Sequence, residues 1–343
     1  MKRLLITGGA GFIGSHLVRG ALERGFEVVV LDDLSTGRLS NLSEVREQIM
    51  FIQGSVAVPA DVDAALSAGG GCDGVLHQAA MPSVPKSIAH PLETHQANVL
   101  GTLCLLDGSR RRGVSRVVYA GSSSAYGDQP GDLKSEELTP RPLSPYAVQK
   151  LSGEQYCKVY NDLFGLQTVV LRYFNVFGPR QDPNSQYAAV IPAFITCLLE
   201  GRSPTIHGDG EQSRDFTFVR NVVAANFAAL EAPDSACGQV YNAACGEKTT
   251  LNELVALLNG ICGTQITPEL GPSRAGDVRV SCASTLKAFV SMNDQSIARL
   301  VPCMNIGDHQ GIPPTDFAAR KKSPALAKLA TSSWLDTGCW SQR

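Results

Sequence analysis

The sequence has no long apolar run and no strong net charge, and both absences narrow the possible classes of protein. No stretch approaches the ~20 consecutive apolar residues of a membrane-spanning helix. The apolar start at residues 4–6 gives way to Thr7, too early for the core of a signal peptide. Lysine and arginine total 30 against 32 aspartates and glutamates, a formal charge of −2. Because such a field attracts neither nucleic acid nor a lipid surface, we expect a cytoplasmic protein with no nucleic-acid and no membrane partner.

The sequence also lacks the cysteine and histidine spacing of a metal site. Its ten cysteines include no Cys-x-x-Cys pair, and its six histidines are scattered. Structural zinc sites draw their ligands from such closely spaced pairs, so we predict no metal site. The same scatter argues against a secreted disulfide framework and for free thiols in a reducing compartment.

What the sequence does contain is an alternation of strand and helix patterns along its first half. Its 343 residues are 43% hydrophobic and 18% charged, which suits one large domain or two closely joined ones. Short apolar runs predict strands at 4–7, 26–31, 74–77, 116–120 and 168–172. Apolar residues at helical spacing predict helices between them, two of which lie at 94–110 and 146–164. This alternation predicts an α/β fold with a doubly wound parallel sheet, a Rossmann fold.

A glycine-rich turn follows the first predicted strand and opens a helix. Its glycines let the backbone turn tightly and approach a pyrophosphate, while the helix N-terminus offers free N–H groups. The predicted cofactor-binding residues of this turn are Gly8, Gly11, Phe12, Ile13 and Gly14.

An acidic residue completes the dinucleotide pattern. Asp32 ends the second predicted strand, 18 residues after Gly14. A carboxylate there accepts a hydrogen bond from a ribose 2′-hydroxyl and repels a 2′-phosphate, which predicts NAD rather than NADP. Glycines that serve only a tight turn would not explain the strand, the helix and Asp32 together.

Tyr146 and Lys150 form a Tyr-x-x-x-Lys pattern on one face of a predicted helix. An ammonium beside a phenol favours the phenolate and moves its pKa from about 10 toward the working pH. A bound nicotinamide ring would act in the same direction, which predicts a general base for a sugar hydroxyl. Read alone, the pair could be two surface residues, and the upstream run of Ser122, Ser123 and Ser124 could be a simple turn. Behind an NAD site, the combination predicts catalysis.

These segments together resemble a known family. They are 7–14 (TGGAGFIG), 122–127 (SSSAYG), 146–150 (YAVQK) and 172–175 (RYFN). The chain is similar to extended short-chain dehydrogenases/reductases, specifically NAD-dependent UDP-hexose 4-epimerases, and above all to bacterial UDP-N-acetylglucosamine 4-epimerases. The resemblance runs from residue 1 to about Ala288.

The resemblance implies catalytic roles by position. Ser122 lies four residues before Tyr126 and matches the catalytic Ser or Thr, with Ser123 and Ser124 as supporting donors. Tyr146 matches the catalytic base, and Lys150 matches the Lys that binds the nicotinamide ribose.

The resemblance also implies a substrate site. Asn175 matches the residue that contacts the nucleotide diphosphate, Arg214 and Arg274 match its phosphate ligands, and Asp277 matches the uridine-ribose ligand. The bidentate guanidinium suits a diphosphate, although both arginines could instead be surface residues or members of ion pairs. Ser281 matches a position where a small side chain admits N-acetyl sugars.

The implied reaction is C4 epimerisation of a UDP-sugar through a 4-keto intermediate, on UDP-GlcNAc/UDP-GalNAc, UDP-Glc/UDP-Gal or both. Related dehydratases and decarboxylases carry acidic residues directly after the catalytic Ser or Thr, where this chain has Ser123 and Ser124. A UDP-glucuronate or UDP-pentose 4-epimerase remains an open alternative. The family is usually a homodimer, here through the helices at 94–110 and 146–164.

These expectations divide the chain into three parts. Residues 1–175 form the NAD-binding Rossmann domain, with a later return segment near 215–245, and 176–288 form the smaller C-terminal substrate-binding region. Residues 289–343 are an atypical tail.

Three features depart from the family pattern. Ser55 stands where an Asp usually binds the adenine, which predicts weaker cofactor binding, and Ser284 stands where another Asp is usual. The tail does not resemble the family's ending, and a frameshift or a natural truncation with a new tail would each explain it. Lost core packing there gives an alternative of another class, an NAD-binding protein without turnover.

Overall fold

The computed structural model describes residues 1–182, 190–273 and 278–291. The strands are β1 (Arg3–Thr7), β2 (Glu27–Asp32), β3 (Ile49–Gln53), β4 (Gly74–His77), β5 (Arg116–Ser122), β6 (Gln167–Tyr173), β7 (Val176–Phe177), β8 (Thr205–His207), β9 (Ser213–Arg214), β10 (Thr217–Phe218), β11 (Gln239–Ala243), β12 (Thr249–Thr250), β13 (Glu269–Gly271) and β14 (Val280–Ser281). The α-helices are α1 (Phe12–Glu23), α2 (Pro59–Ser67), α3 (Val84–Ala89), α4 (Pro91–His95), α5 (Gly101–Arg111), α6 (Pro145–Phe164), α7 (Val190–Leu199), α8 (Val219–Glu231), α9 (Leu251–Cys262) and α10 (Leu286–Ser291). A π-helical stretch, Gln96–Leu100, joins α4 to α5, and 3-10 helices occur at Leu39–Gln48, Ala68–Gly70, Ser123–Tyr126 and Asp234–Ala236.

Seven parallel strands form the central sheet, in the order β3, β2, β1, β4, β5, β6, β11. Helices cover both faces, and the inner strands are therefore almost continuous aliphatic runs, such as 28–31 in β2. The strand order reverses between β1 and β4, and ligands of such sheets bind outside the carboxyl ends of the strands at that point. The predicted α/β fold with a doubly wound parallel sheet is confirmed.

Two apolar layers hold the sheet. Leu4 and Leu5 of β1 point to opposite faces, as neighbours in a strand must. Leu4 joins the core that includes Leu17 of α1 and Val222 of α8. Leu5 joins the core that includes Leu105 of α5 and the α2 and α6 helices. Packing on both sides fixes the carboxyl ends of the strands, from which the loops of the cleft extend.

A smaller region with its own core follows β6. Phe177, Phe194 of α7 and Leu254 of α9 are buried together there, beside the short sheets β12–β9–β14 and β13–β8. A capping box between Thr250 and Glu253 starts α9. Between these pieces, α8 and β11 return to the main sheet, so the chain crosses between the two parts more than once.

Some residues named from the sequence lie outside the part of the chain that the structure describes. Arg274, Asp277 and the tail beyond Ser291 lie outside the described residues. Among the described residues, no helix has both the length and the apolar character to cross a membrane.

Free thiols are found at Cys72, Cys104, Cys157, Cys197, Cys237, Cys262 and Cys282. Cys245 is disulfide-bonded, so the expectation of free thiols is wrong at this residue.

Candidate active site

A cleft of about 1420 Å³ opens along the carboxyl ends of the central strands. Ten of the residues predicted from the sequence line it: Gly8, Gly11, Phe12, Ile13, Gly14, Asp32, Ser122, Tyr146, Lys150 and Asn175. The fold therefore brings together the predicted cofactor and catalytic residues, although they are spread from residue 8 to residue 175 of the chain.

The glycine-rich turn leaves no room for side chains. Gly8 has φ of +66°, and a Cβ there would lie 2.7 Å from the backbone nitrogen of Ala79. A Cβ on Gly14 would lie 2.0 Å from the carbonyl oxygen of Gly8. The start of α1 therefore packs directly on the turn, with its first N–H groups at the cleft. This cradle fits the pyrophosphate of a dinucleotide.

Asp32 is almost fully buried and shapes the turn as well as the cleft. Its Oδ2 accepts a hydrogen bond from the amide of Ala10 at 2.8 Å, and its Oδ1 accepts one from the amide of Leu34 at 2.8 Å. Burial raises the pKa of this carboxyl, and the two amide donors oppose the rise. Each carboxylate oxygen has a further lone pair, so the group can also accept hydrogen bonds from ribose hydroxyls.

The three serines occupy different environments. Ser122 ends β5, and its Oγ accepts hydrogen bonds from the Ser124 hydroxyl at 2.8 Å and from the Ser124 amide at 3.2 Å. A side-chain interaction with Ser122, of hydrogen-bond type, also acts on the pKa of Tyr146 and lowers it. Ser123 begins the 3-10 helix and, like Ser124, is not among the residues that line the cleft. The serine side chain that reaches the cleft is thus Ser122, with Ser124 behind it.

Helix α6 places the Tyr-x-x-x-Lys pair. Its first turn is fixed by a cap from Ser144 and by the hydroxyl of Ser87 in α3, which accepts from the Tyr146 amide at 3.0 Å. One turn later, the buried Lys150 Nζ donates to the carbonyl of Ala120 at 2.9 Å. Both side chains therefore face the end of β5.

Burial changes the ionisation of both groups. It lowers the pKa of Lys150 to about 8. Burial also raises the pKa of Tyr146, while the interaction with Ser122 opposes the rise. The prediction that the pKa of Tyr146 moves down toward the working pH is thus wrong for the protein alone, because burial outweighs the interaction with Ser122. The expected effect of the nicotinamide ring stays a prediction.

The predicted substrate residues are only partly brought together. Asn175 is exposed after β6 and lines the cleft. Arg214 and Ser281 are register partners in β9 and β14, and Arg214 donates to the carbonyls of Ser213 and Val278 at 2.8 and 2.9 Å. Neither Arg214 nor Ser281 lines the cleft as described. Arg274 and Asp277, the other two predicted ligands, fall outside the described residues.

The two serines that depart from the family pattern differ in position. Ser55 lines the cleft beyond β3, and its amide donates to Asp61 at 2.8 Å. Ser284 lies away from the cleft. Its amide donates to the carbonyl of Lys134 at 2.9 Å, and its own carbonyl accepts from the side-chain amide of Asn242 at 3.0 Å.

Sequence reasoning missed a contact across the cleft, made by residues 178–182, which we call the strap. Arg38 pairs with Asp182 of the strap at 2.6 Å, and Glu44 pairs with Arg180 at 3.2 Å. Arg180 has φ of +66°, in the left-handed region that non-glycine residues rarely adopt. No local pattern signals these contacts, because the partners are 144 and 136 residues apart.

The sheet, the glycine cradle and the buried Asp32 define an NAD-binding protein of the Rossmann type. Comparison with known proteins makes this more specific. The model of the NAD dependent epimerase/dehydratase family matches residues 4–244. UDP-glucose 4-epimerase of Mycolicibacterium smegmatis is 39% identical over 289 residues, covering 83% of this chain and 91% of that protein.

Solved structures agree with this assignment. The UDP-glucose 4-epimerase of Thermotoga maritima, crystallised with UDP-glucose, matches with a TM-score of 0.81 and 35% identity over 88% of this chain and 97% of that one. The UDP-N-acetylglucosamine 4-epimerase of Methanobrevibacter ruminantium, in complex with UDP-N-acetylmuramic acid, matches with a TM-score of 0.80 and 38% identity over 89% and 97%.

Relatives with other reactions match as well. A UDP-glucuronic acid 4-epimerase of Bacillus cereus has a TM-score of 0.78 and 32% identity, over 85% of this chain and 93% of that one. A UDP-N-acetyl-alpha-D-glucosaminuronate decarboxylase of Bacillus cytotoxicus is 32% identical over 258 residues, 74% of this chain and 78% of that protein. The chain therefore belongs to the NAD dependent epimerase/dehydratase family of extended short-chain dehydrogenases/reductases, as its motifs predicted, and its cofactor is NAD.

Proposed function

We propose that this enzyme catalyses the C4 epimerisation of a UDP-sugar through a 4-keto intermediate. The observation that carries the proposal is the cluster of Ser122, Tyr146 and Lys150 inside the NAD cleft. NAD, when bound, supplies reversible acceptance of the hydride from sugar C4. Tyr146 takes the proton of the 4-hydroxyl, and Ser122 donates a hydrogen bond at the same oxygen. Tyr146 then returns the proton after the 4-keto sugar has presented its other face.

The residues beside Ser122 favour epimerisation over dehydration or decarboxylation. Those reactions need further proton transfers at neighbouring carbons and so need additional acid or base groups close to the sugar. Ser123 and Ser124 occupy the next two positions, and a serine hydroxyl does not titrate near neutral pH. Ser123 and Ser124 therefore add no proton carrier to Tyr146 and Lys150 at the end of β5.

We propose that the sugar is N-acetylhexosamine, hexose or both. Ser281 is small and lies directly beside Arg214 in the sheet, and the family resemblance associates a small side chain at this position with acceptance of N-acetyl sugars. The Methanobrevibacter relative is named for UDP-N-acetylglucosamine, and the Mycolicibacterium and Thermotoga relatives for UDP-glucose.

An epimerase assay on the purified full chain tests the proposal. UDP-GlcNAc, UDP-Glc and UDP-glucuronate are offered separately, first without and then with added NAD, and the C4 epimers are read by chromatography. We expect conversion of UDP-GlcNAc and UDP-Glc, and a loss of at least about a hundredfold in Tyr146→Phe, the typical loss for a general base.

Each other outcome points to a different conclusion. Conversion of UDP-Glc alone would contradict the argument from Ser281. Conversion of UDP-glucuronate alone would favour the acidic-sugar epimerase. Binding of NAD without conversion of any sugar would favour the reading as an NAD-binding protein without turnover.

We also propose that the enzyme is a homodimer. Helix α6 and the continuous helix from α4 through α5 expose large apolar side chains at spacings that fall on one face of each helix. They are Leu92, Leu100, Val148, Val159 and Leu163. Two such faces from each of two copies would bury one another as a four-helix bundle.

A further inference from the structure

A buried ion pair lies directly beneath the catalytic end of β5. Glu154 of α6 receives three hydrogen bonds from Arg172 of β6, at 2.7, 3.0 and 3.2 Å, and both side chains are almost fully enclosed. A Cβ on Gly121, the residue before Ser122, would lie only 3.1 Å from Glu154 Oε1. The carboxylate thus lies close to Gly121, next to Ser122 in the chain.

The same carboxylate is one helical turn from the catalytic lysine. Residues four apart on a helix are neighbours, with Cβ atoms about 5–6 Å apart, so Glu154 follows Lys150 on the buried face of α6. Lys150 in turn donates to Ala120, the residue on the other side of Gly121. The end of β5 is held between the ammonium and the carboxylate.

We propose that Glu154 is a positioning residue that keeps the Lys150 ammonium charged and seated against the end of β5. This proposal rests on the proposed function and deepens it. It makes Glu154, which does not line the cleft, responsible for keeping Lys150 protonated. Arg172 completes the arrangement by pairing directly with the Glu154 carboxylate.

The other groups around Lys150 supply no comparable anion. On α6 they are Tyr146, which is neutral with a raised pKa, and Cys157, whose pKa is raised strongly by burial. On β5 the ring centre of Tyr119 lies 5.0 Å from Nζ, and burial raises its pKa as well. On β4 burial lowers the pKa of His77 to about 3, which keeps it neutral.

Burial lowers the pKa of Lys150, and Glu154 is the largest influence that opposes this. Without the Glu154 charge, Lys150 would lose its proton at a lower pH, and the phenolate of Tyr146 would lose its cationic neighbour. The alkaline limit of activity would then move to lower pH.

The test compares Glu154→Gln with wild type. We expect the alkaline limb of the kcat–pH profile to move to lower pH, with activity at pH 9 about tenfold lower for each unit by which the Lys150 pKa falls. KM should change little. Asp162→Asn is the matched control, because Asp162 carries an exposed carboxylate on the same helix, paired with Lys158.

A double variant separates charge from structure. Glu154→Gln together with Arg172→Gln leaves no buried guanidinium without its carboxylate, so it also carries the test if the single variant does not fold. A shifted alkaline limb in the double variant supports the proposal. A wild-type profile would overturn it and leave Glu154 as a structural partner of Arg172.

A second readout does not depend on sugar turnover. Ultraviolet difference titration of the NAD-loaded protein follows the Tyr146 phenolate, with Tyr146→Phe as the blank. We expect the phenolate to form at higher pH in Glu154→Gln, and unchanged titration would overturn the proposal. If wild type converts no sugar yet this shift appears, the proposed reaction fails while the role of Glu154 stands.

Discussion

At the scale of single residues, the direction of the hydrogen bonds around Ser122 decides what the site can do. A hydroxyl has one hydrogen to donate, and the Ser122 oxygen already accepts from the hydroxyl and the amide of Ser124. Its own hydrogen is therefore available toward the cleft, where Tyr146 lies and where the sugar 4-hydroxyl would bind in the proposed reaction. Ser124 orders the donor that faces the general base in the proposed reaction.

Removing the Ser124 hydroxyl should weaken this order while the backbone donor remains. For Ser124→Ala we expect kcat to fall roughly twofold to tenfold with little change in KM, since one hydrogen bond contributes about 0.5–1.5 kcal/mol. The steady-state kinetics of Ser124→Ala are compared with those of Ser123→Ala. The sequence predicts the same supporting role for both serines, whereas the structure gives them different environments. An equal loss in Ser123→Ala would contradict the role given to Ser124.

The glycine at position 14 tests the cofactor cradle. In Gly14→Ala the new methyl group would lie 2.0 Å from the Gly8 carbonyl oxygen, so α1 and the turn must move apart. We expect at least about a tenfold loss in NAD affinity by calorimetric titration, since about 1.4 kcal/mol suffices for that change. Gly260→Ala, in α9 with no atom within 4 Å of the added group, should bind NAD as wild type does. Normal NAD affinity in Gly14→Ala would show that the turn tolerates the methyl group.

At the scale of elements, the sequence predicts what is local and misses what depends on distant segments. The glycine turn, the strand after it and Asp32 lie within one short stretch, so spacing alone identifies the cofactor site. The ionisation of Tyr146 depends on packing by α3 and β5, and the sign of its pKa shift could not be predicted from the Tyr-x-x-x-Lys spacing. The strap was missed for the same reason, since Arg180 meets Glu44 only in the folded chain.

The strap and the 3-10 helix Leu39–Gln48 should slow the release of NAD. Arg180 and Asp182 pair across the cleft with Glu44 and Arg38, and the ring of His16 in α1 lies 2.9 Å from the carbonyl oxygen of Pro179. A dinucleotide beneath these contacts leaves only when they open.

Arg180→Gln removes one of the two ion pairs of the strap. Because exposed pairs contribute about 0–1 kcal/mol, we expect NADH to dissociate up to about fivefold faster in stopped-flow displacement. High salt should bring wild type toward the variant, since it screens exposed charges. Arg202→Gln, which loses an exposed pair with Glu200 elsewhere, should leave the rate unchanged. A wild-type rate for Arg180→Gln at low salt would show that the strap does not gate release.

At the scale of the whole molecule, helix α6 has two faces that meet different surroundings. One face of α6 carries Tyr146, Lys150 and Glu154 toward the sheet, and the opposite face exposes Val148 and Leu163. A stable monomer gains nothing from a row of exposed apolar side chains. The same rigid helix would therefore hold the site from inside and a second copy from outside, which ties the geometry of the site to assembly.

Placing charge on that outer face should separate the copies. In the double variant Val148→Glu with Leu163→Glu, like charges would face each other across the bundle, in an interface whose centre excludes water. We expect wild type to sediment as a dimer and the variant as a monomer at micromolar concentration. Leu270→Glu is the matched control, because Leu270 is a similarly exposed leucine, 64% accessible, in β13 of the smaller region, and it should sediment as wild type. A monomeric wild type, or a dimeric double variant, would show that these helices do not form the interface. Loss of activity in step with dissociation would further show that the partner copy holds α6, and with it Tyr146, in its working position.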